Sequence, residues 1–273
     1  MIRAASAVVV REWRVQRRYP ISMINLVLLT PLYKLALPTL LLGAAFMVGG
    51  SSVGLSRMTG TTDLAGWIGL GVLSASLMVG AVSSVFSTLD ADRATGVIEH
   101  SWCSPAPREA YVVGAVLTGT MFASAASLLL LAFAVAVLGA SFSALGSLLA
   151  LPALVVMVVG NCGFGYLVAA ALLAMRRAAA LVEVTAMLAM LFSGVTFPLT
   201  LLSGVTRWPT YLLPGTWGLD LIRHLLIDTR PLEPLPVEIA ALVLTSVAWL
   251  LVGRRIFLNT ERRLRVAGTL AQF

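Results

Sequence analysis

Few side chains in this sequence have the chemistry to hydrolyse a nucleotide, hold a metal ion or attack a substrate. The single lysine, Lys34, lies in the tripeptide YKL within an apolar run, so no G-x-x-x-x-G-K-[ST] loop is available to bind phosphates. The two histidines, His100 and His224, are predicted to lie on opposite faces of a membrane and cannot share a metal ion. The sequence predicts no catalytic residue and no metal site, and it indicates that the chain does not hydrolyse ATP by itself.

The residues that could carry a function without catalysis are concentrated in residues 90–108, which read DADRATGVIEHSWCSPAPR. Charged side chains are costly in hydrocarbon, so this stretch must face water on one side of the membrane. A charged loop that ends in prolines is predicted to be rigid. Arg93 and Glu99 could form ion pairs across an interface with another protein, where charge fixes the register of docking. A solvated loop with local ion pairs is the alternative interpretation.

The composition indicates which kind of protein must position this loop. The chain has 273 residues, of which 59% are hydrophobic and 11% are charged, whereas soluble domains carry about 25% charged residues. The net charge of +7 could indicate nucleic-acid binding. Arginines that flank membrane segments explain the charge better. The chain is therefore predicted to be an all-α membrane protein.

The apolar segments predict six transmembrane helices, since each is near the ~20 residues that a span requires. Residues 1–273 are predicted to form a single transmembrane domain, with a cytoplasmic loop at 90–109 and short external or re-entrant helices at 203–236. Phe197, Trp208 and Trp217 are expected to anchor the outer interface, or else to form an outer gate. The six predicted spans are residues 24–48, 64–89, 110–138, 148–175, 179–202 and 237–257.

Residues 1–19 are too short to cross a membrane and are predicted to form an amphipathic helix at the membrane surface. At 100° per residue, five arginines fall in an arc of roughly 120°, while apolar residues group elsewhere. This arrangement would turn the arginines toward lipid headgroups and Trp13 into the interface. A frayed basic tail is the alternative. The arginines are Arg3, Arg11, Arg14, Arg17 and Arg18.

The arginine distribution predicts the orientation of the spans. The N-terminal segment has five arginines, the loops after spans two and four have two each, and the C-terminal tail has five. The opposite face has four, namely Arg57, Arg207, Arg223 and Arg230. Because cytoplasmic loops carry the excess of positive charge, both termini and the charged loop are predicted to be cytoplasmic, in a multi-pass protein of the plasma (inner) membrane.

Two motifs resemble those of the type-2 ABC-transporter permease family. That family has a cytoplasmic signature after span two, acid-Arg-x-x-Gly-Thr-Leu-Glu followed by Ser-Pro. The chain departs from it at Val97 and Ser101. A second match covers residues 191–223, where Ser193, Gly194, Phe197, Pro198, Trp208, Leu213, Pro214 and Arg223 fit the family pattern. The residues that match the first signature are Asp92, Arg93, Gly96, Ile98, Glu99, Ser104 and Pro105.

The resemblance implies that the chain is the permease subunit of an ABC exporter. Two permeases, identical or different, would pair with two separate ATPase subunits, and these subunits would carry the ATP and magnesium. The seven matching residues of the loop would belong to a coupling helix that docks on the ATPase, and the N-terminal helix would contribute to the same contact. The path for the cargo would lie between two permeases, lined by parts of spans one, two and five.

Several functional alternatives stay open from the sequence. Lys34 could face the translocation path or extend toward the cytoplasm, and Phe197 could belong to a gate. The oily, nearly uncharged spans favour a hydrophobic drug, a lipid or a lipid-linked molecule as cargo, and a polysaccharide is a further candidate. A secondary carrier, or an assembly factor without an ATPase partner, is the alternative function. A carrier or membrane enzyme would need acids or a metal set within the spans, and the sequence shows neither.

Overall fold

The structure, a computed structural model, describes residues 2–29, 53–97, 107–175, 180, 183–184, 187, 191–195, 198–199 and 204–266. The predicted spans 24–48 and 179–202 lie mostly outside these residues, so the six-span count stays a prediction. The predicted functional residues that also lie outside them are Lys34, Ile98, Glu99, Ser104, Pro105 and Phe197.

Every regular element in the described part of the chain is helical. A π-helical turn lies at Asn25–Leu29 and a 3-10 turn at Gly204–Arg207. Four helices of the described part, α4, α5, α6 and α9 as bounded below, are long and apolar enough to cross a membrane. In chain order the helices are α1 (Ile2–Arg17), α2 (Pro20–Ile24), α3 (Val53–Thr59), α4 (Leu64–Ala94), α5 (Arg108–Leu138), α6 (Ala144–Ala174), α7 (Trp208–Tyr211), α8 (Pro214–Ile227) and α9 (Leu235–Val266).

The four long helices extend further than the apolar segments that predicted them. Each has 31 or 32 residues, or about 46–48 Å at 1.5 Å per residue, whereas the hydrocarbon core is about 30 Å thick. Helix α4 continues to Ala94 instead of ending at Leu89, and α9 continues to Val266 instead of Phe257. Hydropathy marks where contact with lipid ends, but the backbone hydrogen bonds continue into the polar region. The charged ends of α4 and α9 are therefore helical.

Helix α1 covers most of the basic N-terminal segment. Its inner face packs on α5 where Gly114 has no side chain, since a Cβ there would lie 2.7 Å from the Cβ of Val8. Trp13 stacks on Phe122 with ring centroids 5.7 Å apart. The arginine-rich side of α1 is mostly exposed. The predicted position of α1 on a membrane surface stays a prediction.

Glycines allow the long helices to approach closely. At the crossing of α4 and α5, a Cβ on Gly119 would contact the carbonyl oxygen of Gly80, and a Cβ on Gly80 would lie 2.9 Å from that of Ala123. At the crossing of α6 and α9, Gly163 and Gly253 face each other in the same way. Small residues at helix crossings are typical of membrane bundles, because they bring the backbones together.

One prediction about the segment before α9 is wrong. Trp217 is not an interface anchor, because α8 turns it into the core, where it is 6% exposed and donates a hydrogen bond to the carbonyl of Tyr211 at 2.9 Å. Trp208, 73% exposed, remains compatible with the anchoring role. Arg223, which the arginine count assigns to the opposite face, is buried among the helices.

The buried Arg223 holds α8 against the start of α4. Its guanidinium donates hydrogen bonds to the carbonyl oxygens of Trp67 at 3.0 and 3.3 Å, Gly194 at 2.9 Å and Val195 at 3.3 Å. It also lies 3.6 Å from the ring centroid of Trp67. A planar group with five N–H donors can satisfy carbonyls from two separate segments. The arginine at the end of the second sequence motif is therefore a structural hub.

Candidate coupling site

Three helices meet at the C-terminal end of α4, where Asp92 is buried. One carboxylate oxygen of Asp92 accepts hydrogen bonds from Arg11 of α1, at 2.8 Å, and from the hydroxyl of Tyr111 of α5. The guanidinium of Arg11 also lies 5.7 Å from the centroid of the Tyr111 ring. Asp92, the first residue of the predicted coupling motif, thus connects α4 to α1 and α5.

Arg11 remains charged in this setting. Partial burial acts to lower the pKa of Arg11, but hydrogen bonds to Asp92 and Glu12 outweigh the burial and raise it above its ordinary value. One guanidinium nitrogen of Arg11 lies 2.7 Å from the Glu12 carboxylate. A charge-assisted hydrogen bond is about twice as strong as a neutral one, so Arg11 is suited to hold α1 in place.

The second residue of the motif, Arg93, contacts the end of another span. Its guanidinium donates hydrogen bonds to the carbonyl oxygens of Leu172, at 3.2 Å, and Met175, at 3.3 Å. These carbonyls belong to the C-terminal end of α6, where a helix has no intrahelical donors left for them. A cation at this end also interacts favourably with the helix dipole. Arg93 therefore connects α4 to α6.

A second set of ion pairs lies at the first two residues of α5. Arg108 pairs with Glu261 of α9, which also pairs with Arg265 one turn further along the same helix. Next to it, Glu109 pairs with Arg254 of α9, with 2.9 Å between nitrogen and oxygen. The start of α5 is thus connected to the polar end of α9.

Gly96 sets the direction in which the chain leaves α4. Its φ angle is +70°, in the left-handed region that favours glycine, and its N–H donates to the carbonyl of Arg93 at 3.2 Å. Among the described residues, a Cβ at Gly96 would meet no atom within 4 Å. The requirement for glycine is therefore conformational and not steric. Residues 95–107, called the docking segment below, have both ends attached to the helix bundle.

Comparison with known families identifies the family to which this chain belongs. Residues 3–227 match the sequence model of the family described as ABC-2 type transporter. The chain belongs to the ABC-2 type transporter family. No curated protein matches it in sequence. The match confirms the family that the two sequence motifs predicted.

Membership of the ABC-2 family establishes the broad role of the chain. The chain is a multi-pass integral membrane protein, and the family is the membrane component of transporters, generally without catalytic activity of its own. ABC-2 permeases normally work with ABC ATPase partners. Among the residues that the structure describes, no three histidine, cysteine, aspartate or glutamate side chains are arranged to hold a metal ion.

The structure brings together part of the predicted site and adds residues to it. Of the seven predicted coupling residues, Asp92, Arg93 and Gly96 are described, and their role in ATPase coupling stays a prediction. The first two turn toward other helices of the same ABC-2 chain. Sequence reasoning missed the partners Tyr111 and Glu261. It expected Arg11 to face headgroups, although Arg11 lies at one edge of the arginine arc, which was a signal that its direction could differ.

Proposed function

We propose that the chain is the permease subunit of an ATP-driven exporter. It forms the translocation path with a second permease, identical or different, and two separate ATPase subunits bind ATP and magnesium. The docking segment, with Ile98, Glu99, Ser104 and Pro105 at its centre, contacts an ATPase subunit. The family match and the agreement of both sequence motifs with the family pattern support this proposal.

The observation that carries the proposal is the attachment of both ends of the docking segment. Asp92 contacts α1 and α5, Arg93 contacts α6, and Arg108 and Glu109 contact α9. A displacement of the segment therefore cannot be absorbed at its ends and must reach these helices together. Packed helices change between discrete arrangements more readily than they deform. This arrangement is what a force-transmitting contact requires.

In the proposed cycle, ATP binding draws the two ATPase subunits together. The two docking segments approach each other, and the permeases change between inward-open and outward-open states. The docking segment and both termini then face the cytoplasm, in the plasma membrane, as the arginine distribution favours. The apolar spans favour a hydrophobic drug, a lipid or a lipid-linked molecule as cargo. Lys34 and Phe197 remain candidates for the path or its gate.

The substitution Glu99→Arg tests the proposed docking. Reversal of this charge should lower substrate-stimulated ATP hydrolysis by the assembled complex several-fold, because charge fixes the register of the contact. The measurement is ATP turnover of the co-purified complex in lipid, with membrane insertion checked by the yield of folded protein. Glu233→Arg is the matched control, because Glu233 is exposed and lies in the segment predicted to be external.

The outcomes separate the proposal from its alternatives. Reduced turnover in Glu99→Arg, with normal turnover in Glu233→Arg, supports docking of the segment on the ATPase. Normal turnover in both variants contradicts it. If no ATPase co-purifies with the wild-type chain from its own cells, the function of an assembly factor or a secondary carrier is favoured instead.

A further inference from the structure

We propose that Asp220 and Glu238 bind one proton between them, and that this proton holds the start of α9 against α8. The inference goes beyond the proposed transport function, since it concerns neither the docking segment nor an ATPase. Glu238 lies in the first turn of α9 and is fully buried, at 0% exposure, whereas Asp220 of α8 is half-buried. The two carboxyl groups lie within hydrogen-bonding reach of each other.

A hydrogen bond between two carboxyl groups requires a proton on one of them. An ionised carboxylate only accepts hydrogen bonds, whereas a protonated carboxyl also donates one. Two carboxylates that share one site repel each other, so that one of them takes up a proton. The contact between α8 and α9 is therefore attractive while the pair holds a proton and repulsive once the proton is lost.

The backbone around the pair stabilises one negative charge but not two. The N–H of Leu232 donates to the Asp220 carboxylate at 2.8 Å, and the N–H of Glu233 donates to Glu238 at 3.2 Å. The N-terminal end of α9 also favours a negative charge. Within the residues that the structure describes, neither carboxyl group forms an ion pair. A second charge, placed on the fully buried Glu238, would have no cation to offset its loss of water.

The charged neighbours place the negative charge on Asp220 and the proton on Glu238. Arg223, three residues after Asp220 on α8, attracts the Asp220 carboxylate. Among the helices packed on α8, α6 has no charged residue, α4 has none before Asp90, and α9 has none between Glu238 and Arg254. The other titratable or charged groups on α8, on the segments beside it and on the helices packed against it are His224, whose Nδ1 lies 2.6 Å from the carbonyl oxygen of Thr229, Asp228, Arg230, Glu233, Arg207, Tyr211, Cys162 and Tyr166.

A small cavity gives the pair access to water. It has a volume of about 40 Å³ and is lined by Asp220, Thr229 and Arg230, among other residues. A cavity of this size has room for about two or three water molecules, which polar side chains can hold. Arg230 is exposed and lies in the segment predicted to be external. The pair therefore exchanges its proton with the predicted external side, and the packing of α9 on α8 depends on the pH there.

Infrared difference spectroscopy on the full-length protein in nanodiscs tests whether the pair holds a proton. Ordinary carboxyl groups are ionised at about pH 7, so the carbonyl stretching band of a protonated carboxyl should come from this pair. Transfer to D₂O shifts that band and so separates it from the ester bands of the lipids. Glu238→Gln should remove the band. The matched control Glu233→Gln, which changes an exposed carboxyl group nearby, should keep it.

The pH dependence of stability provides a second measurement. Unfolded carboxyl groups are ionised above about pH 5, so the folded chain binds one proton more than the unfolded chain, and stability falls as the pH rises. The unfolding equilibrium constant of the wild-type protein should therefore rise about tenfold per pH unit relative to that of Glu238→Gln, until the folded pair itself loses the proton. Glu233→Gln should follow the wild type.

Three results would overturn the proposal. The first is a wild-type spectrum without a protonated carboxyl, or one identical to that of Glu238→Gln. The second is a wild-type stability that runs parallel to that of Glu238→Gln across the pH range. The third is a Glu238→Gln variant that does not fold, because the site would then require the charge of the carboxylate. None of these measurements involves ATP turnover, so they are independent of the test of docking.

Discussion

The ion pair between Arg11 and Asp92 should contribute measurably to stability, and a double-mutant cycle can isolate its strength. The variants are Arg11→Gln, Asp92→Asn and their combination. These changes nearly preserve side-chain size but remove the charges. The Asp92 change also weakens the contact with Tyr111, which the Arg11 change leaves intact. The single variants should therefore differ, with Asp92→Asn the more destabilising.

The expected magnitude follows from the exposure of the two partners. A hydrogen bond to a charged group contributes about 1.5–3 kcal/mol when buried, and an exposed ion pair contributes about 0.2–1 kcal/mol. The side chain of Arg11 is 37% exposed and that of Asp92 is 10% exposed. We therefore expect a coupling free energy of about 1–1.5 kcal/mol. Asp92→Asn alone should lower the free energy of unfolding by about 2–3 kcal/mol, because the hydroxyl of Tyr111 also loses its charged acceptor.

The assay is reversible unfolding in mixed detergent micelles, followed by tryptophan fluorescence, which gives a free energy for each member of the cycle. The comparison cycle uses Arg254 and Glu109, whose side chains are 49% and 17% exposed, and should give about 0.5 kcal/mol. Independent sites add within about 0.3–0.5 kcal/mol. A coupling between Arg11 and Asp92 inside that margin would refute the reasoning that this pair attaches α1 to the bundle.

Three further predictions concern the bundle itself, and each is measured by thermal unfolding of the purified protein. Gly119→Val should lower the free energy of unfolding by about 2 kcal/mol or more, because any Cβ there contacts the carbonyl of Gly80. Met121→Val, at a half-exposed position of the same helix, is the control and should leave the stability nearly unchanged. Arg223→Leu should cost about 3 kcal/mol or more by leaving buried carbonyls without donors, and an equally stable variant would contradict the hub role. Glu238 is fully buried, with its side chain within hydrogen-bonding reach of Asp220. Glu238→Gln should be tolerated without loss of stability, because an amide can replace a neutral carboxyl there, whereas Glu238→Ala should lose stability; a strongly destabilised Glu238→Gln would show that its charge is needed.

The sequence was sufficient to predict the long helices but not their full extent. The predicted second span begins at Leu64 and the third ends at Leu138, as the structure has them. The errors are at the charged ends, where α4 and α9 continue past the apolar segments. A hydropathy pattern registers the contact of side chains with lipid. It carries no information on where a helix stops once its side chains are in water.

The partners of the motif residues could not be predicted because they are distant in the sequence. Arg11 and Asp92 are 81 residues apart, Arg93 and Leu172 are 79 apart, and Arg108 and Glu261 are 153 apart. A motif shows which residue types occur close together in the sequence. The hydrogen-bond partner of a motif residue depends instead on which helix ends lie next to each other in the folded bundle. The buried position of Arg223 could not be predicted either, since its acceptors are backbone carbonyls that no sequence pattern displays.

The two functions of the charged stretch can be separated because they use different residues. Asp92 belongs to the family signature and also to the contact with α1, so a defect in an Asp92 variant cannot distinguish docking from attachment. Arg11 lies outside the signature and attaches α1 to α4 through Asp92. Glu99 belongs to the signature and lies in the middle of the docking segment. Coupling measured in Arg11 and Glu99 variants therefore reports separately on how the segment is held and on what it contacts.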